Sequence, residues 1–218
     1  MNYIECPSVN FDSREGHAID MLVLHYTGMP SGEEALKRMC DENAKVSAHY
    51  MIEETGDMFQ LVAEADRAWH AGKSHWRGHD NINQRSIGIE IVNPGHEFGY
   101  RPFTDIQMRS VQELCHEIIA LHDIPARNVV GHSDIAPTRK EDPGELFNWQ
   151  WLASEGIGLW PRVCGDSAPA RKLTDYGYDI SDMPKAIIAF QRHFRPKLLC
   201  GTWDEECGQL LAGLLMQV

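Results

Sequence analysis

Two hydrophobic periods alternate along the first three quarters of the chain. Residues 20–26 (DMLVLHY) form a short apolar run that reads as a buried strand with His25 near its end. A helix follows over 31–43, with Ser31 and Glu34 in the S-x-x-E spacing of a capping box. Residues 46–53 (VSAHYMIE) and 57–62 (DMFQLV) are rich in strand formers and flank the turn ETGD, which predicts a hairpin. Residues 63–85 carry Trp, His, Gly, Asn and Arg without a period; a loop of that length is functional or disordered. Residues 86–92 (SIGIEIV) read as a core strand. Thr104 and Gln107 open a long amphipathic helix to about residue 122, with Ile106, Val111, Leu114, Ile118 and Leu121 as its apolar positions. Residues 128–131 (NVVG) form a short strand that delivers His132, and a helix near 146–155 follows.

The pattern changes at 161–171 (PRVCGDSAPAR), which reads as a linker. Three short helical segments lie beyond it. The middle one, 183–194, puts Ile187, Phe190 and Phe194 on one face and Pro184 in its first turn. The last, 203–215, has Thr202 and Glu205 in capping-box spacing. The expected organisation is an α/β domain over 1–160, a linker over 161–171, and a compact three-helix module over 172–218 resting on it.

Composition narrows the partners. With 43% apolar and 24% charged residues, the chain has the usual make-up of a soluble globular protein. A net charge of −12 argues against nucleic acid, which needs clustered Lys and Arg, and against an anionic membrane surface. No apolar run approaches the length of a membrane span. The N-terminal residues MNYIECPSVNFDSREGH lack a basic start followed by an apolar stretch, so a cytoplasmic location is expected, or a periplasmic one if the chain is a trimmed form. The six cysteines form no C-x-x-C pair, which suits a reducing compartment, although their even number leaves disulfides open.

The chemistry concentrates at GHSDIAPTRKEDPG (131–144). His132 ends one apolar strand and His25 ends another, and strand ends of an open α/β sheet are where sites form. With Asp142 they supply two imidazoles and a carboxylate, the donor set of an open zinc site whose fourth position is left for water. Each also has a plainer reading: a satisfied core histidine, or a turn aspartate before Pro143 and Gly144. Glu90 interrupts the run IGIEIV, where a carboxylate costs several kcal/mol unless it is paired or used. A general base beside an activated water is such a use; a solvent-facing place on an edge strand is the alternative. Lys140, two residues before Asp142, could donate to an oxyanion or be an ordinary surface lysine. His49 and His70 could be ligands, substrate contacts or structural residues, whereas His17, His75, His79, His96, His116, His122 and His193 are expected at the solvated surface. An iron-oxygenase reading of His132-Ser133-Asp134 needs a distant second histidine, and only His193 stands downstream. No H-E-x-x-H helix marks a zinc peptidase.

LVLHYT (22–27), VSAHYMI (46–52), AWHAG (68–72), SIGIEIVN (86–93) and GHSDIAPTRKEDPG (131–144) together resemble the zinc-dependent N-acetylmuramoyl-L-alanine amidases, a family that includes phage amidases and peptidoglycan-recognition proteins. The resemblance spans roughly residues 18–155. YGYDI (176–180), AIIAFQRHFRP (186–196) and GTWDEECGQLL (201–211) resemble a three-helix peptidoglycan-binding domain. The fold implied is a mixed central β-sheet flanked by helices on both faces, plus the small C-terminal module. The resemblance implies Zn2+ held by His25, His132 and Asp142, with Glu90 and Lys140 catalytic. It implies a substrate groove along His49 and Trp69, His70, Ala71 and Gly72. The reaction implied is hydrolysis of the amide between N-acetylmuramic acid, or its anhydro form, and L-alanine, with muropeptides or peptidoglycan fragments as partners. The rival is a non-catalytic recognition protein; the presence of Asp142, Glu90 and Lys140 favours the enzyme.

Overall fold

A computed structural model describes residues 3–162 and 165–218; Cys164 and part of the expected linker lie outside the described residues. In chain order the strands are β1 (Ile4–Glu5), β2 (Phe11–Ser13), β3 (Met21–Tyr26), β4 (Tyr50–Ile52), β5 (Met58–Gln60), β6 (Asp66–Ala68), β7 (His75–Trp76), β8 (His79–Asp80), β9 (Ser86–Ile91) and β10 (Val129–Gly131). The helices are α1 (Gly32–Cys40), α2 (Gly95–Phe98), α3 (Asp105–His122), α4 (His132–Ile135), α5 (Trp149–Ser154), α6 (Leu173–Tyr176), α7 (Met183–Phe194) and α8 (Glu205–Leu215).

Six strands form one mixed sheet in the order β1-β5-β4-β9-β3-β10. Only the β4–β5 hairpin pairs antiparallel; β4–β9, β9–β3, β3–β10 and β1–β5 run parallel. The sequence-irregular stretch 63–85 contributes β6, which pairs with β2, and the β7–β8 ribbon. Parallel strands buried on both sides read as continuous apolar runs, which is why DMLVLHY and SIGIEIV stand out in the sequence.

Side chains alternate across the sheet. Leu22, Leu24, Ile87, Ile89 and Ile91 face α3, whose Met108, Val111, Leu114, Cys115 and Ile118 pack on them. Thr104 caps α3 through a hydrogen bond from Gln107 N–H. The buried stripe is displaced from the expected one: Ile106 is 55% and Leu121 66% exposed, because Ile106 falls on the far side of the helix from Met108–Val111–Cys115 and Leu121 at the stripe's edge.

On the other face Met21, Val23 and Val130 join Trp76, Ile135 and the C-terminal helices, through Leu173, Tyr178, Phe190, Phe194, Leu211 and Leu214, in one apolar cluster. The C-terminal module thus shares a core with the sheet. Pro184 stands in the first turn of α7, and Asp182 caps it. Asp204, not Thr202, caps α8, with its carboxylate accepting from Cys207 N–H; the helix begins too late for Thr202, whose carbonyl accepts from the Gln191 amide. The described cysteines (Cys6, Cys40, Cys115, Cys200 and Cys207) are free thiols. Among the described residues no helix is long and apolar enough to cross a membrane.

Candidate metal centre

β3, β9 and β10 end on the same side of the sheet, and the carboxyl ends of parallel strands are where open α/β sheets build their sites. His25 lies in register with Glu90 across β3–β9, and Met51 of β4 pairs with Glu90 on its other side. His132 opens α4 directly after β10. The turn that follows folds back so that Ser133 N–H donates to the Asp142 carbonyl at 2.9 Å.

These elements bring three predicted ligands together. His25 Nδ1 and His132 Nδ1 are 2.9 Å apart, and each lies 3.0 Å from Asp142 Oδ2. All three residues are buried. Four ligands around zinc at ordinary Zn–N and Zn–O distances stand about 3.3 Å apart, so the triangle is a slightly contracted version of three corners of such a tetrahedron.

The partners of the outer nitrogens decide which ring nitrogen carries the proton. His132 Nε2 lies 3.1 Å from the Ala71 carbonyl, which can only accept, and 3.4 Å from Arg139 Nη2; the shorter contact favours the proton on Nε2, with the lone pair on Nδ1. His25 Nε2 donates to His70 Nδ1 at 3.0 Å; His70 Nε2 donates to Ser86 Oγ at 3.2 Å; Ser86 donates to the Ile82 carbonyl at 2.8 Å. The terminal carbonyl fixes the direction of that chain, and hence the His25 tautomer. Burial, then the neighbouring His132, pushes His25 down to about 4, and burial holds His70 well below the usual range. His25 and His70 are therefore neutral, which leaves His25 able to ligate through its inner nitrogen. Burial alone would raise Asp142, but the imidazoles of His132 and His25 outweigh it and hold it well below the usual carboxylate range. Two imidazoles and one carboxylate, closed on one side by protein and open on the other, fit an open divalent-metal site of the kind zinc occupies.

The open side is a cleft of about 810 Å³ lined by Tyr26, Glu90, His132, Lys140 and Asp142, with Lys185 and Arg192 of α7 in its far wall. Glu90 sits on its floor with Oε2 shielded from solvent and unpartnered. Burial and then Asp142 raise its carboxyl well above the usual range, against the opposing pull of Lys140.

The remaining predicted residues lie in different places. His70 borders the cleft behind His25. His49 lies deeper, one imidazole further from the triangle, accepting from Gly88 N–H at 2.9 Å, with Arg14 Nη2 2.7 Å from its Nε2. Ala71 is fully buried and acts through its carbonyl; Gly72 lines a neighbouring depression with Lys73 and Arg139. Trp69 does not line the cleft; its N–H donates to Ser47 Oγ. Gly88 supplies the space for His70, since a Cβ there would collide with the ring.

The expectation that the other histidines are solvated fails for His193. It is 4% exposed and donates from Nδ1 to Asp134 Oδ2 at 2.8 Å. A signal existed: His193 falls three residues after Phe190, on the same stripe of α7. His122 is half-buried against Glu64, while His17, His79, His96 and His116 are exposed.

Residues 15–145 match the family model described as N-acetylmuramoyl-L-alanine amidase. The chain is 38% identical over 230 residues to AmiD of Escherichia coli, covering 90% of this chain and 82% of that protein. It is 36% identical over 162 residues to the 1,6-anhydro-N-acetylmuramyl-L-alanine amidase AmpD of Haemophilus influenzae, covering 66% of this chain and 86% of that one. Its fold superposes with a TM-score of 0.83 on AmiD of E. coli in complex with anhydro-N-acetylmuramic acid-L-Ala-D-γ-Glu-L-Lys, at 34% identity, over 95% of this chain and 98% of that one. AmpDh3 of Pseudomonas aeruginosa gives 0.83 at 33% identity, over 96% and 94%. The chain belongs to the N-acetylmuramoyl-L-alanine amidase family.

Proposed function

We propose that this protein hydrolyses the amide between N-acetylmuramic acid, or its anhydro form, and the L-alanine of a stem peptide. The observation that carries this reading is the His25–His132–Asp142 triangle with Glu90 beside it on the floor of one cleft, in a chain of this family. AmiD, to which the chain is similar along nearly its whole length, was captured with a muropeptide of that linkage.

In this reading His25, His132 and Asp142 hold zinc. The ion supplies Lewis acidity, which lowers the pKa of a water and polarises a carbonyl. Glu90 takes the proton from the attacking water through its unpartnered oxygen. A carboxyl with a raised pKa is suited to return that proton to the departing L-alanine amine, so one group serves as base and then as acid. The C–N bond breaks as the new C–O bond forms, leaving a muramyl carboxylate and a free amino terminus. Lys140, in the cleft wall, steadies the oxyanion. His70 orients His25, and the Ala71 carbonyl orients His132. Gly72 and Trp69 flank that segment, and His49 supports it from behind. The C-terminal helices remain a peptidoglycan-binding-like module, with Lys185 and Arg192 facing the same cleft. Free thiols at the described cysteines suit a reducing compartment and hence recycled muropeptides in the cytoplasm.

The test is incubation of the purified protein with defined muropeptides, with and without chelator, read by mass. The expected result is release of the L-alanyl peptide that chelation abolishes and zinc restores. Binding of muropeptide without release would instead mark a recognition protein. Recovery of the protein from the periplasm of fractionated cells would overturn the cytoplasmic reading and favour intact wall as substrate.

A further inference from the structure

Asp134 lies two residues after a predicted ligand and is only 1% exposed. A carboxylate that deep is costly unless its oxygens are satisfied. Asp134 Oδ2 accepts from Gly131 N–H at 2.7 Å, the amide immediately before His132. The same oxygen accepts from His193 Nδ1 at 2.8 Å, and Oδ1 accepts from the Tyr178 hydroxyl at 2.7 Å. One local bond shapes the turn, and the other two come from the C-terminal module.

Those two donors are themselves held. The His193 ring stacks on Trp149 at 3.9 Å and on Phe194 at 3.9 Å. Tyr178 is 1% exposed and packs edge-on against Trp76 at 5.2 Å. The neighbouring residue of α7, Arg192, approaches Glu145 at 3.5 Å and Glu141 at 3.6 Å, on either side of Asp142. Consecutive residues of one helix therefore grip both ends of the segment that carries His132 and Asp142. The two ends are also tied to each other by the Ser133 N–H to Asp142 carbonyl bond.

We propose that Tyr178 and His193 are positioning residues of the metal centre, acting through Asp134 to fix the Gly131–His132 turn and, through it, Asp142. Neither touches a ligand atom. Without them the Asp134 carboxylate loses two of its three partners, and the turn it caps is free to rearrange. The C-terminal helices are then part of the catalytic scaffold as well as a surface for wall fragments. The inference rests on reading His25, His132 and Asp142 as ligands, so the experiment separates the two claims.

Zinc affinity is measured by competition with a chromophoric chelator in the full-length protein, and the cobalt-substituted protein is examined by visible absorption. Wild-type protein that takes up no zinc refutes the ligand reading. Given zinc in the wild type, Tyr178→Phe and His193→Leu are expected to weaken it by about 10–100-fold each, the usual cost of losing an outer hydrogen bond at a metal site, and to shift the cobalt bands. His193→Asn, which can present an N–H near the Nδ1 position, is expected to recover most of the affinity. Phe190→Leu serves as control: it loosens the same cluster without touching Asp134. Zinc affinity and cobalt spectra unchanged in both Tyr178→Phe and His193→Leu overturn the proposal. So does an equal loss in Phe190→Leu at matched thermal stability, since the module then acts through stability alone.

Discussion

The same two strands, β3 and β9, present two chemically opposite faces. Toward α3 they show Leu22, Leu24, Ile87, Ile89 and Ile91, all buried in a dry cluster. Toward the C-terminal helices the register pairs are Met21–Ser86, Val23–Gly88 and His25–Glu90, so the face turns from mostly apolar to fully polar at the strands' carboxyl ends. Packing governs the first face, where any well-shaped apolar residue serves. The second face is arranged to be unfinished: it ends in the neutral imidazole of His25 and the Glu90 carboxyl with its unpartnered oxygen. Buried polar groups of that kind cost stability, and they persist here because strands packed on both sides hold them in place.

The contrast breaks most severely at the ligands. Asp142→Ala leaves two imidazoles facing each other with no anion between them, and turnover of a muropeptide is expected to fall to background along with zinc content measured by elemental analysis. Glu90→Gln should lower turnover by about 10²–10⁴-fold while zinc content and melting temperature hold, because the substitution removes a proton carrier without removing a ligand. Native turnover in zinc-loaded Glu90→Gln would take Glu90 out of the mechanism. On the opposite face the pattern inverts: Ile89→Ala is expected to cost about 2–5 kcal/mol in denaturant unfolding while zinc affinity stays unchanged. Gly88→Ala lies between the two, since its new methyl would press on His70 and disturb the support of His25; zinc affinity should drop by about 10–100-fold.

The smallest effect is in pH. Burial lowers His25 to about 4 and His49 to about 3, with Arg14 adding to the shift of His49. Unfolded histidine titrates near 6.5, so the unfolded chain binds more protons than the folded one below that pH. The metal-free protein should therefore keep its full stability above about pH 6.5 and lose it as pH falls toward 4. In His49→Gln the decline in melting temperature over that range should be shallower.

Much of this site was legible in the sequence, for physical reasons that differ by residue. His25 and His132 announced themselves by ending apolar runs, and Glu90 by interrupting one. Resemblance to a known family then joined them with Asp142, whose turn spacing alone left a plainer reading open. Three things were hidden. The family resemblance implies that Asp134 and Arg139 shape the loop, but the partners of Asp134, 44 and 59 residues away, leave no periodic mark in the sequence. His193 lies on the apolar stripe of α7, although its residue type alone points to the solvated surface. Arg14 is buried, though it stands in a polar N-terminal stretch, because Glu64, Asn83, Gln84 and Ser86 turn their carbonyls toward it. The α3 stripe was misplaced at both ends for a simpler reason: apolar residues occur on exposed faces too, as Ile106 and Leu121 do.

Met21 and Val23 lie in one apolar mass with Phe190, Leu211 and Leu214. The strand that carries His25 and the last helix of the chain are therefore expected to open as a single cooperative unit, with their slowest amide protons exchanging with solvent at one common rate-limiting free energy. A protease cut between residues 160 and 170 would sever the backbone but leave two fragments clasped by side chains, still migrating as one particle.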